Sequence, residues 1–138
     1  MAASRIDTHH HAVPDFYRAW LKKLGTDAGG MPIPKWTPEA SRRHMKLTGV
    51  RTAILSISTP QVTPGNRSEA HAMARRLNEY LHGLTVAEPG TFGYFATLPL
   101  PDATSCPVGA TATALTQSWC PVRVRRTWPD VASQMRTA

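Results

Sequence analysis

The stretch Ile6-Asp7-Thr8-His9-His10-His11 constrains this chain more than any other. An apolar residue opens it, and Asp7, His9 and His11 follow two residues apart. In an extended strand alternate side chains share a face. These three are therefore predicted to project together while Thr8 and His10 point away. Two imidazoles one step apart on a face can grip one divalent ion through ring nitrogens at about 2.0–2.1 Å. Histidine suits zinc, iron or nickel better than magnesium or calcium. The plainer reading is a chance His-x-His turn or a tag remnant, although tags are longer and flanked by linker residues.

The order of elements favours the metal. Residues 5–9 read as a short buried strand ending at the histidines. Pro14 is expected at the first position of a helix, with Phe16, Trp20, Leu21 and Leu24 on its apolar side and Gly25 as its stop. A loop rich in Gly and Pro follows, from Thr26 to Lys35. Thr37 can cap the next helix, with Pro38 in the first turn and Glu39 favouring the positive end of the dipole. Gly49 ends it. The run Ala53-Ile54-Leu55-Ser56-Ile57 is expected to be a strand buried on both faces.

Asn66 and Glu69 resemble a capping box. Beyond them Ala70, Met73, Ala74, Leu77 and Leu81 form the clearest apolar stripe in the chain, so Met73 is read as core. Residues 92–98 complete a third strand. Strand, helices, strand, helix, strand implies parallel strands joined by crossovers. Active sites of such α/β folds lie at the carboxyl ends of the strands, where His9 and His11 fall.

Composition narrows the partners. A chain of 138 residues allows one ordinary domain, and its net charge of +7 raises the question of nucleic acid. The basic residues form short clusters on separate elements (Lys22-Lys23, Arg42-Arg43, Arg75-Arg76, Arg123 to Arg126) with no nucleic-acid motif. Solvated helix faces explain them better. No secretory segment follows Met1, and no apolar run nears the ~18 residues of a membrane helix. A cytoplasmic protein with no membrane partner is expected. Cys106 and Cys120 make no disulfide framework there.

Successive blocks then resemble a family. Ile6 to His11, Trp36-x-Pro38-Glu39, Met45-x-x-x-Gly49-Val50, Asn78-Glu79-Tyr80-Leu81 and Phe92-Gly93-x-x-Ala96-Thr97-Leu98-Pro99 are similar, in order, to an amidohydrolase-superfamily enzyme. The branch is the amidohydrolase-related group that includes aminocarboxymuconate-semialdehyde decarboxylase. The resemblance implies a (β/α)8 TIM barrel, of which this chain holds the N-terminal portion, about three strands. It implies that His9 and His11 ligate a catalytic divalent metal, zinc first, with Asp7 behind them to orient an imidazole. It also implies hydrolysis or non-oxidative decarboxylation of a small carboxylic acid, with the ion as Lewis acid and water activator, and leaves room for a homo-oligomer. That decarboxylase holds a substrate carboxylate with an arginine before the Trp-x-Pro block. Between Gly25 and Trp36 this chain has only Lys35.

The resemblance covers about residues 5–102, so residues 1–102 are read as the N-terminal part of the barrel. Residues 103–138 contain no Lys, Glu, His, Ile, Phe or Tyr, and read as a divergent tail or as a GC-rich gene translated in a shifted frame. The family's remaining ligands would come from later strands. His44, His71 and His82 lie on predicted helices, outside the metal site. Two readings stand: part of a metal-dependent hydrolase or decarboxylase, or an inactive, truncated remnant that binds metal weakly or serves as an interaction fragment.

Overall fold

The structure is a computed structural model and describes residues 5–62 and 65–99. The expected boundary at residue 102 and the tail at 103–138 lie outside the described residues. The elements run β1 (Arg5–His11), α1 (Asp15–Lys23), α2 (Pro38–Thr48), β2 (Val50–Ser56), α3 (Arg67–Ala87) and β3 (Phe92–Tyr94). Among the described residues all pairing is parallel, in the order β1-β2-β3. The fold is α/β, as the alternation of strands and helices implies.

Local chemistry sets the helix ends. Pro14 stands one residue before α1, not inside it, with ψ at 144°, and its carbonyl accepts the Tyr17 and Arg18 amides. At the other end Gly25 adopts φ +64°; its amide reaches the Lys22 carbonyl and the Thr26 amide reaches that of Leu21. Two such bonds around a left-handed glycine form a Schellman stop. Thr37 accepts the Ala40 amide and Pro38 opens α2, which Gly49 closes at φ +69°. Asn66 and Glu69 exchange hydrogen bonds in a complete capping box. Each of these signals satisfies amides or carbonyls that a helix end leaves orphaned.

The core lies between the sheet and the helices. Ala53, Leu55 and Ile57 of the β2 segment are buried, as are Phe92 and Tyr94. The α3 stripe Ala70, Met73, Ala74, Leu77 and Leu81 packs onto this layer, and α1 adds Tyr17 and Leu21. β2 departs from its expected burial on both faces: Thr52, Ile54 and Ser56 are half-buried, alternating with the core residues. β1 departs further. It pairs only with β2 among the described residues, and Ile6 is 58% exposed.

β3 is shorter than 92–98 predicts. After Tyr94, among the described residues, only the Phe95 amide still reaches the sheet, at the Leu55 carbonyl. The chain is then held by a side chain of α3. Asn78 accepts the Thr97 amide at 2.8 Å and donates to the Thr97 carbonyl at 3.0 Å. One carboxamide thus does what a neighbouring strand residue would do, which links the Asn78 block to the Thr97 block.

Leu77 is fully buried whereas Val86, on the same helix, is 57% exposed. Leu77→Ala should therefore lower unfolding free energy by about 2–5 kcal/mol. Val86→Ala should stay within about 0.5 kcal/mol. Urea denaturation followed by circular dichroism separates the two.

Candidate metal centre

β1 does not alternate cleanly. Its register against β2 slips between Asp7 and His10, and such an irregularity re-aims side chains. His9 and His11 still come together, with ring centroids 4.7 Å apart, edge to face, and both are exposed. Asp7 does not join them. Its carboxylate accepts the His9 backbone amide at 3.0 Å and the His10 ring Nδ1 at 2.9 Å.

His11 sits opposite Ser56 in the parallel register, and its Nδ1 lies 3.2 Å from the Ser56 hydroxyl. A ring nitrogen engaged in this way leaves Nε2 as the one open to solvent chemistry. Ser56 follows Thr52 and Ile54 on the half-buried face of β2, so His11 shares that face and not the helix-packed one. His10 takes the opposite course. Its Nε2 lies 2.8 Å from the hydroxyl of Ser41 on α2, a residue only 3% exposed.

Two hollows adjoin this edge. One, of about 120 Å³, runs from His11 past Val13, Tyr17, Leu21, Ile33 and Pro34 to Ser58 and Thr59. The other, of about 250 Å³, is lined by Ser56, Ile57, Gln61 and residues 95–98. The Tyr17 hydroxyl donates to the Gln61 carbonyl at 2.6 Å and pins the loop between them, where Gln61 has φ +56°. Burial pushes the Tyr17 phenol well above its ordinary value, so it serves as a donor.

Among the described residues, no three His, Cys, Asp or Glu side chains stand close enough to hold a metal ion. His9 and His11 are a pair. His44, His71 and His82 lie on α2 and α3, as expected; the His44 ring is 6.0 Å from that of His10 and does not extend the pair. Sequence reasoning missed Ser56 and Ser41. The signal for Ser56 was available, since it continues the alternation Thr52, Ile54 at the end of β2. Nothing in the spacing joins Ser41 to a histidine 31 residues away.

The Asp7 carboxyl is held below its ordinary value of 3.8, first by the His10 ring, then by the His9 amide, against a smaller opposing effect of burial. A depressed folded-state value means stability present above the unfolded value and lost as pH falls through the folded one. Carbon-detected titration of Asp7 should give a midpoint below 3.8. Asp7→Asn should remove this contribution, so that the variant loses less stability than the parent on acidification through that range.

No protein-family model matches the chain. Known relatives do. It is 39% identical over 97 residues to the decarboxylase yanB of Aspergillus niger, covering 69% of this chain and 26% of that protein. It is 36% identical over 99 residues to the 6-methylsalicylic acid decarboxylase of Penicillium expansum, covering 70% of this chain and 30% of that protein. The chain therefore spans less than a third of the length of these curated relatives. A solved structure described as an amidohydrolase II superimposes with a TM-score of 0.71 at 30% identity, over 83% of this chain and 36% of that one. The 5-carboxyvanillate decarboxylase of Sphingomonas paucimobilis shares the fold, with a TM-score of 0.55 at 18% identity, over 67% and 34% of the two chains. In sequence and in fold, this chain resembles part of amidohydrolase-superfamily proteins of the amidohydrolase-related group, decarboxylases among them.

Proposed function

We propose that the chain carries the first three strands of a (β/α)8 barrel whose activity is metal-dependent decarboxylation of a small aromatic carboxylic acid. The observation that carries this reading is the convergence of His9 and His11 at the carboxyl end of a parallel strand. The relatives named as decarboxylases support the reaction type. The 6-methylsalicylic acid in one of their names supports the substrate class.

The residues fit a metal of imidazole preference. His9 and His11 would hold it, His11 through Nε2, with Nδ1–H donating to Ser56. A divalent ion there, zinc by donor chemistry, would act as a Lewis acid and activate water. Asp7 serves the site through the backbone, by holding the His9 amide, and not by touching a ligand ring. The apolar lining of the hollow beside His11 suits a ring, with Tyr17 and Leu21 shielding it from water. A zinc site in a catalytic protein takes at least three protein ligands, so the rest of the centre must come from beyond residues 5–99.

The test is a chimera in which residues 5–99 replace the matching segment of the Penicillium expansum enzyme. It should release carbon dioxide from 6-methylsalicylate. His9→Ala or His11→Ala in the chimera should reduce release to background and lower bound metal below one equivalent. A folded chimera that keeps its metal and turnover after both substitutions would overturn the assignment.

A further inference from the structure

The middle histidine of the run, His10, belongs to a chain of hydrogen bonds outside the candidate metal site. Trp36 Nε1 lies 2.8 Å from Ser41 Oγ, Ser41 Oγ 2.8 Å from His10 Nε2, and His10 Nδ1 2.9 Å from Asp7 Oδ2. The other Asp7 oxygen accepts the His9 amide at 3.0 Å. The ends of the chain fix its direction. An indole N–H can only donate, so the Ser41 oxygen accepts from Trp36. A carboxylate can only accept, so His10 donates through Nδ1. The single Ser41 proton then goes to His10 Nε2, and every group is satisfied.

Asp, His and Ser in this order look like a nucleophile triad. Burial excludes that use. Ser41 is 3% exposed on the helix-facing side of β1, and its oxygen already accepts from Trp36. No substrate carbonyl could reach it.

We propose that the Trp36–Ser41–His10–Asp7 chain is a positioning device, with His10 a strut that locks the irregular turn of β1 and so sets the spacing of His9 and His11. The argument is geometric. The register slip lies between Asp7 and His10, the two residues the chain ties together. Asp7 also holds the amide of His9. Releasing Ser41 therefore frees His10, then Asp7, then the backbone that carries both ligand rings. The inference rests on the reading of His9 and His11 as metal ligands.

Zinc titration of the 138-residue chain, with nitrogen-detected NMR of its histidines, tests both. In the parent, His10 should show a proton at Nδ1 and keep its signals on zinc addition, while His9 and His11 shift. Ser41→Ala should weaken zinc binding about ten-fold, the range for residues that orient ligands, and disperse the His10 pattern. Ser41→Thr, which keeps the hydroxyl, should restore both. Met45→Ala, buried on the same helix but outside the chain of bonds, should lower the melting temperature and leave zinc affinity within two-fold, roughly the noise of such comparisons. Zinc binding that is absent in the parent, or that survives His9→Ala with His11→Ala, sinks the metal reading and this proposal with it. Binding lost in that double variant but unchanged in Ser41→Ala, or a His10 that shifts as a ligand, sinks the positioning role alone.

Discussion

Asp7 accepts two hydrogen bonds from the residues that follow it, the amide of His9 and the ring of His10. Both bonds close within three residues, so they bend the strand they sit on. The carboxylate competes with the sheet for backbone donors, as short polar side chains do elsewhere. Its charge strengthens both bonds, and the cost is borne by pairing: the β1–β2 register slips at this point. The remainder of the site follows. His10 turns toward α2, His11 toward Ser56, and the His9 and His11 rings meet edge to face.

Much of this architecture was legible in the sequence because helix ends are written in local chemistry. Thr37-Pro38, Gly49, and Asn66 with Glu69 each appear in the role their side chains dictate. The α3 stripe was equally readable, since a helical period needs no partner to be seen. Strands were harder. The run at 53–57 looks uniformly apolar, yet Ile54 and Ser56 face away from the helix-packed core. The extent of β3 depends on pairing and on Asn78, which lies far back along the chain.

The site was legible only in part. His9 and His11 share a face, as period-two alternation requires, but the same rule wrongly places Asp7 beside them. Alternation assumes an unbroken strand, and the carboxylate that breaks it is itself a member of the motif. His10 points away from the pair, as alternation predicts, and there contacts two residues. The bonds that tie the site down, His11 to Ser56 and His10 to Ser41, span 45 and 31 residues. Such contacts arise from tertiary packing and leave no periodic trace.

Asn78 gives the carboxyl edge of the sheet a mechanical dependence on its neighbour. The segment after β3 contributes Phe95, Ala96, Thr97 and Leu98 to the larger hollow, yet after the Phe95 amide its anchorage is a helix side chain. That wall should therefore ride with α3 when the helix shifts. Repacking Met73 or Leu77, which never touch the hollow, would alter its width while the strands stay in register. Its dimensions can thus be tuned from behind the sheet.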